Sequence, residues 1–283
     1  GDGKAALPAV TLLSAVRSMS DDIVSIEEKS SLHQISCGTA VFKLNGDEPD
    51  MFPSIPTVDT STVITLPLAD FLGLCERTMF AAAKEMGRYA FNGVLLEVDP
   101  DEITLVATDG RRMALSRLAG STGIADRQSR ILPVKGLQQL QRAATEAGTD
   151  AVLKIGLLEN QVAFGLPHAE IVAQLVEGEF PDFRAVLPKE TDAPQKVNLN
   201  REELAGAIRR AAVTAGEGAR SVELNFGSGK LQVSSRQEGV GEAKSEMDVE
   251  YEGDSVGIRF NPEFLGDYLK VLPEEAVDFR FTA

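Results

Sequence analysis

The sequence predicts an α+β chain built from a repeated unit, each repeat an amphipathic helix followed by antiparallel strands. Three observations carry this. Five stretches with helical apolar spacing each open on an extended apolar run ending in Pro or Asn. Alternating segments separated by turn residues lie between them. The openings recur at a period of roughly 60 to 67 residues.

The first helix opens at Leu7-Pro8 (PAVTLLSAVRSM) and the second at Leu66-Pro67 (PLADFLGLCERTMFAAAKE). The others open at Leu132-Pro133, Leu199-Asn200 and Phe260-Asn261. Pro suits a helix start because the first backbone N–H groups lack intrahelical partners, and an Asn side chain can accept from them. Strands are expected at Val94–Val98 with Ile103–Ala107, Val152–Leu157 with Gln161–Leu166, and Val222–Phe226 with Lys230–Ser234. Glu159-Asn160 and Gly227-Ser228-Gly229 read as turns.

A longer period lies above the first. Met51–Pro56 and Glu179–Phe183 each precede a two-helix block, and Leu187–Lys196 (LPKETDAPQK) has linker composition. The implied domains are 1–60, 61–190 and 191–283. The first has one helix unit where the pattern calls for two, and the last stops in mid-strand, so the chain reads as a piece cut at both ends.

Composition narrows the function. The 283 residues carry a formal net charge of −15, and 43% are hydrophobic. No apolar run approaches the roughly 18 residues needed to span a bilayer. Gly1-Asp2-Gly3-Lys4 does not open a signal peptide. Cys37 and Cys75 have no metal or redox spacing, which implies buried thiols in a reducing, cytoplasmic compartment. His33 and His168 lie in different units, and neither a phosphate-cradling Gly-rich loop nor a GxSxG elbow is present. No enzyme, cofactor or metal is expected. Asp109 is the one candidate for chemistry, and a hairpin turn accounts for it as well.

The basic residues are sorted. Counted from the Pro or Asn opening each helix, a cation falls nine or ten places on: Arg17, Arg77, Arg142, Arg209 with Arg210, and Lys270. Lys84, Lys135 and Arg201 lie seven or eight positions from one of these, on what would be the same helical face. A cation near a helix C-terminus also complements the helix dipole. Five matched cations in an acidic chain nonetheless suggest a shared stripe that binds phosphates without reading sequence.

The stretch Val106–Leu118 (VATDGRRMALSRL) reads as strand, tight Asp109-Gly110 turn, strand resuming at Arg111. With YAFNG at 89–93, ILPVKGLQQLQ, LVEGEFPDFRAVLP, GEAKSEMDVEYEG and IRFNPEFLGDYLKVL, in that order, the chain resembles the bacterial DNA sliding clamp, the beta subunit of DNA polymerase III. The resemblance covers nearly the whole chain. It implies a DNA clamp fold of repeated domains with sheets outside and paired helices inside, and a head-to-tail homodimer closed into a ring around double-stranded DNA. The implied role is a processivity factor for the polymerase III alpha subunit and other clamp-binding-motif proteins, opened and closed by an ATP-driven clamp loader.

Carried over residue by residue, the resemblance places a partner-peptide pocket at Phe91, Thr108, Gly110, Arg111, Arg112, Met113, Pro181, Val186, Asn261 and Phe264. Phe91, Val186 and Phe264 fit core positions equally well, and Arg112 fits a structural salt bridge. Arg88 and Tyr89 fall on a DNA-touching loop, where Ala90 replaces a second aromatic. Phe42 and Leu44, on a strand at Ala40–Leu44, match one subunit edge, and Val240 and Glu242 the opposing edge. The alternative is a truncated interaction scaffold that binds clamp-partner peptides without encircling DNA.

Overall fold

In the computed structural model the described residues are 3–21, 23–29, 32–52, 63–84, 89–148, 150–216 and 221–282. The chain divides into two compact units, Gly1–Thr57 and Val58–Ala283.

In the first unit, helix α1 (Ala9–Arg17) precedes strands β1 (Ser25–Lys29), β2 (Leu32–Cys37) and β3 (Ala40–Asn45), an antiparallel sheet in that order. The period-2 pattern sends His33, Ile35 and Cys37 of β2 inward. Phe42 and Leu44 of β3 are half-buried, while Val41 and Lys43 are exposed.

The second unit begins with β4 (Val63–Pro67) and α2 (Leu68–Met79), then β5 (Gly93–Val98), β6 (Glu102–Thr108) and β7 (Met113–Ala119). The same series follows as β8 (Gln128–Pro133), α3 (Val134–Ala144), β9 (Val152–Leu157), β10 (Gln161–Gly165) and β11 (Glu170–Gln174). The short α4 (Phe183–Val186) leads to β12 (Gln195–Asn200), α5 (Arg201–Ala212), β13 (Val222–Gly227), β14 (Lys230–Gln237) and β15 (Gly241–Asp248). β16 (Val256–Phe260), α6 (Pro262–Val271) and β17 (Ala276–Phe281) complete it. All five sequence-predicted helices form where Pro or Asn opens them. Pro67 and Pro133 hold extended backbone just before α2 and α3. Asn200 accepts from the backbone N–H of Glu202 and Glu203, and Asn261 from that of Glu263.

The sheets exchange strands. Their orders are β7-β6-β5-β8 and β11-β10-β9-β4, so each half lends its leading strand to the other half's sheet. The series repeats as β15-β14-β13-β16 and β12-β17. Helices cover one face of these sheets over two separate cores. One holds Phe71, Leu74, Leu137, Leu140 and Phe164. The other holds Leu204, Ile208 and an aromatic cluster in which the Phe226 and Phe281 rings stack at 4.6 Å.

β5 is buried along its whole length, which marks a strand covered on both faces. The cover on the non-helical face is the segment around α4, whose Phe183 is 3% exposed against Leu95, Val106 and Ile131. Arg184 fastens it, donating from Nη1 to Glu97 Oε1 at 3.1 Å and from Nη2 to Oε2. Phe183→Ala should therefore cost about 3–5 kcal/mol in denaturant unfolding, the range for emptying a buried aromatic site.

Cys37 and Cys75 are both buried and free. Burial pushes the Cys75 thiol up to about 12. It should stay unlabelled by a thiol reagent at pH 8 in the native protein and react on unfolding. The folded state holds this proton more tightly than the unfolded chain, so the associated stability is complete below about pH 8.5 and is lost as pH rises toward 12.

Candidate functional site

The loop after β6 is longer than the tight turn the sequence suggests. Thr108 pairs directly with Met113, so Asp109, Gly110, Arg111 and Arg112 form a four-residue connection and β7 resumes at Met113 rather than Arg111. Side-chain hydrogen bonds hold it open. Asp109 Oδ1 accepts from the N–H of Arg111 and of Arg112, Thr108 Oγ1 donates to the Arg112 carbonyl, and Gly110 takes φ +85°.

This loop aims Arg112 at α6. Arg112 Nε donates to Asp109 Oδ2 at 3.1 Å, Nη1 to Asp267 Oδ2 on α6 at 2.8 Å, and Nη2 to the Phe80 carbonyl closing α2 at 2.8 Å. Its guanidinium lies 4.4 Å from the Phe264 ring centroid and 5.5 Å from that of Phe80. The side chain is 13% exposed. One cation thus ties together α2, the β6–β7 loop and α6. Phe91 stands beside Gly110, and Met113 packs toward the core that holds Phe183. The Asp109 carboxylate is occupied by the loop and by Arg112, as a turn residue requires.

A second feature lies between α5 and α6, a groove of about 990 Å³. Arg201, Arg209 and Lys270 line it together with apolar Ala205, Ile208 and Leu269. Arg209 and Lys270 are exposed, as are Arg17 on α1 and Lys135 and Arg142 on α3.

Two family models match the chain: DNA polymerase III beta subunit, central domain, over residues 65–182, and the C-terminal domain of the same subunit over 184–283. The beta sliding clamp of Chlamydia muridarum is 30% identical over 276 residues, 97% of this chain and 74% of that protein. The chain belongs to the beta sliding clamp family. The clamp of Pseudomonas putida is 31% identical over 278 residues, again 97% of this chain and 74% of the relative. The crystal structure of the Pseudomonas aeruginosa DNA polymerase III subunit beta matches with TM-score 0.90 and 31% identity over 98% of this chain and 75% of that one. A Caulobacter crescentus clamp with polyethylene glycol in the region proposed for beta-motif tethering matches with TM-score 0.90, 28% identity and 99% and 75% coverage. The fold is that of the DNA sliding clamp, and the function is that of a processivity clamp in DNA replication.

The site residues expected of a clamp fall into groups. Thr108, Gly110, Arg112, Asn261 and Phe264 lie at the α2–loop–α6 junction or at the α6 start beside it. Arg111 and Val186 are exposed, Val186 at 69%. Pro181 lines a cavity of about 570 Å³ with Leu95, Glu97, Arg130 and Phe180, on the covered sheet face. The guanidinium of Arg112 is engaged by Asp109, Asp267 and the Phe80 carbonyl.

The cations also split. Nine and ten residues along a helix differ by about 100°. Arg17, Arg142, Arg209 and Lys270 stand at the ninth position, and Arg77 and Arg210 at the tenth. The latter two turn to strands: Arg77 Nε donates to Ser116 Oγ on β7, and Arg210 to Ser245 Oγ on β15. Glu76 occupies the ninth position of α2. Lys84 is not on a helical face, because α2 ends at Met79. Arg88 and the Tyr89 side chain lie outside the described residues. Val240 and Glu242 are exposed at the start of β15, an edge strand of its sheet. Asp267 and Phe80 are the members of the junction that the sequence does not announce. Its one signal is an Asp three residues after Phe264 on the same helical face, which is too common to single out.

No helix among the described residues is long and apolar enough to cross a membrane.

Proposed function

We propose that two copies of the chain close head to tail into a ring around duplex DNA, with the helices facing the hole. Each copy contributes domains over 1–60, 61–190 and 191–283. Phe42 and Leu44 on the edge of one copy meet the β15 edge with Val240 and Glu242 on the other, so both unpaired strand edges are hidden. Arg142, Lys135, Arg209, Arg201 and Lys270, with Arg17, supply phosphate contacts that tolerate any sequence. The junction around the β6–β7 loop and the α6 start takes short apolar peptides of the polymerase alpha subunit and other clamp-binding partners. An ATP-driven loader opens the ring, and the clamp itself performs no catalysis.

The observation that supports the groove most directly is that the Thr108–Arg112 loop and Phe264 at the start of α6 meet at Arg112. The ring is tested by retention on closed circular DNA. Retention that disappears when the circle is cut supports encirclement, and equal retention on both forms contradicts it. Solution mass across a concentration series reports the dimer independently.

A further inference from the structure

Two arginines unused by the phosphate-facing set are held in the same way at two places in the chain. Arg77 lies ten residues past Pro67, and Arg210 ten past Asn200. Each runs back over a glycine one turn earlier. A Cβ added at Gly73 would stand 3.4 Å from Arg77 Nη1, and one at Gly206 would stand 3.1 Å from Arg210 Nη1. Each then ends on a serine: Arg77 Nε donates to Ser116 Oγ at 3.0 Å, and Arg210 Nε and Nη2 to Ser245 Oγ at 3.1 and 2.9 Å. Ser116 pairs with Leu105 of β6, and Ser245 with Val233 of β14. Both serines therefore sit on the outermost strand of a four-stranded sheet, on the side that faces the helix.

An outermost strand has backbone hydrogen bonds on one side only, so its distance from the helix layer depends on side chains. A guanidinium laid over glycine and ending on a hydroxyl fixes that distance directionally. Helix-dipole complementarity explains a cation in the last turn. It does not explain the same glycine, arginine and serine recurring together. The outward face of β15 carries exposed Glu242, Lys244 and Glu246, which discourage indiscriminate edge pairing. Association through such an edge depends on where the strand is held rather than on apolar attraction along it.

We infer that Arg210 and Ser245 form a positioning brace that sets the β15 edge for a second copy of this chain, with Arg77 and Ser116 the matching brace behind β7. The inference rests on the proposed reading of β15 as a subunit edge.

The test is sedimentation of the full chain over a concentration series, with thermal unfolding run in parallel. Arg210→Ala and Ser245→Ala should each raise the dimer dissociation constant about tenfold, the weight of one lost directional hydrogen bond. Arg210→Lys should recover part of the loss. Arg77→Ala should lower the thermal midpoint about as much as Arg210→Ala yet leave the dissociation constant unchanged. Val240→Asp serves as the reference for the edge itself. If Val240→Asp separates the copies and Arg210→Ala does not, the brace is overturned while the edge reading stands. If Arg77→Ala weakens the dimer equally, the effect is general destabilisation and the brace is overturned. If Val240→Asp has no effect, the edge reading fails and the brace falls with it.

Discussion

Arg112→Ala is expected to lower stability by about 2–4 kcal/mol, because three hydrogen bonds and two ring contacts end on one side chain that is mostly buried. The loss should exceed the sum of the parts. Asp109 and Asp267 keep their negative charge without this partner, and the Phe80 carbonyl loses its donor. Arg112→Lys preserves the charge but not the planar fork, so it should restore less than half of the difference. Urea unfolding followed by circular dichroism measures this. The same variants should weaken partner-peptide binding through the displaced α6 start. A stability change below about 0.5 kcal/mol, the level of an ordinary surface substitution, would show that the junction is held by other interactions.

The second large effect concerns DNA. Reversing Arg142, Arg209 and Lys270 to Glu should cut affinity for short linear duplexes at least tenfold at low salt. It should also flatten the slope of log affinity against log salt by about 0.9 for each phosphate no longer neutralised. Arg77→Gln should leave that slope unchanged, because its guanidinium is turned to Ser116. Equal effects from the two sets would mean that position along the helix does not sort the cations into DNA-facing and strand-facing groups.

The sorting shows how far the sequence can be read. Helix starts are legible because Pro and Asn act locally on the first turn: Asn200 and Asn261 cap with their own side chains. Strands are legible by alternation, as in β9, found at Val152–Leu157 as expected. Nine versus ten residues is a small difference in a string and a large one in angle, so spacing alone groups Arg77 with Arg142 although Arg77 turns to Ser116 on β7. The Asp109-Gly110 pair suggests a two-residue turn because that dipeptide commonly makes one. The outcome is decided instead by Thr108 and Asp109 side chains bonding to the loop backbone. The candidate groove is hardest to read, since Arg112 meets Asp267 only after two domains have packed, and nothing local to either residue announces the partner.

The exchange of leading strands has a consequence for how the molecule is made. Val63 lies opposite Gly156, and Gln195 opposite Phe281, so a strand synthesised early waits for one emitted much later. Neither half of a domain can complete its sheet until the other exists. Folding should therefore be slow and all-or-none within a domain, limited by closing these long loops. The same interlock works in reverse. A protease cut at the exposed residues 125–127 between β7 and β8 would leave two fragments each still stitched into the other's sheet, parting only when the whole domain unfolds.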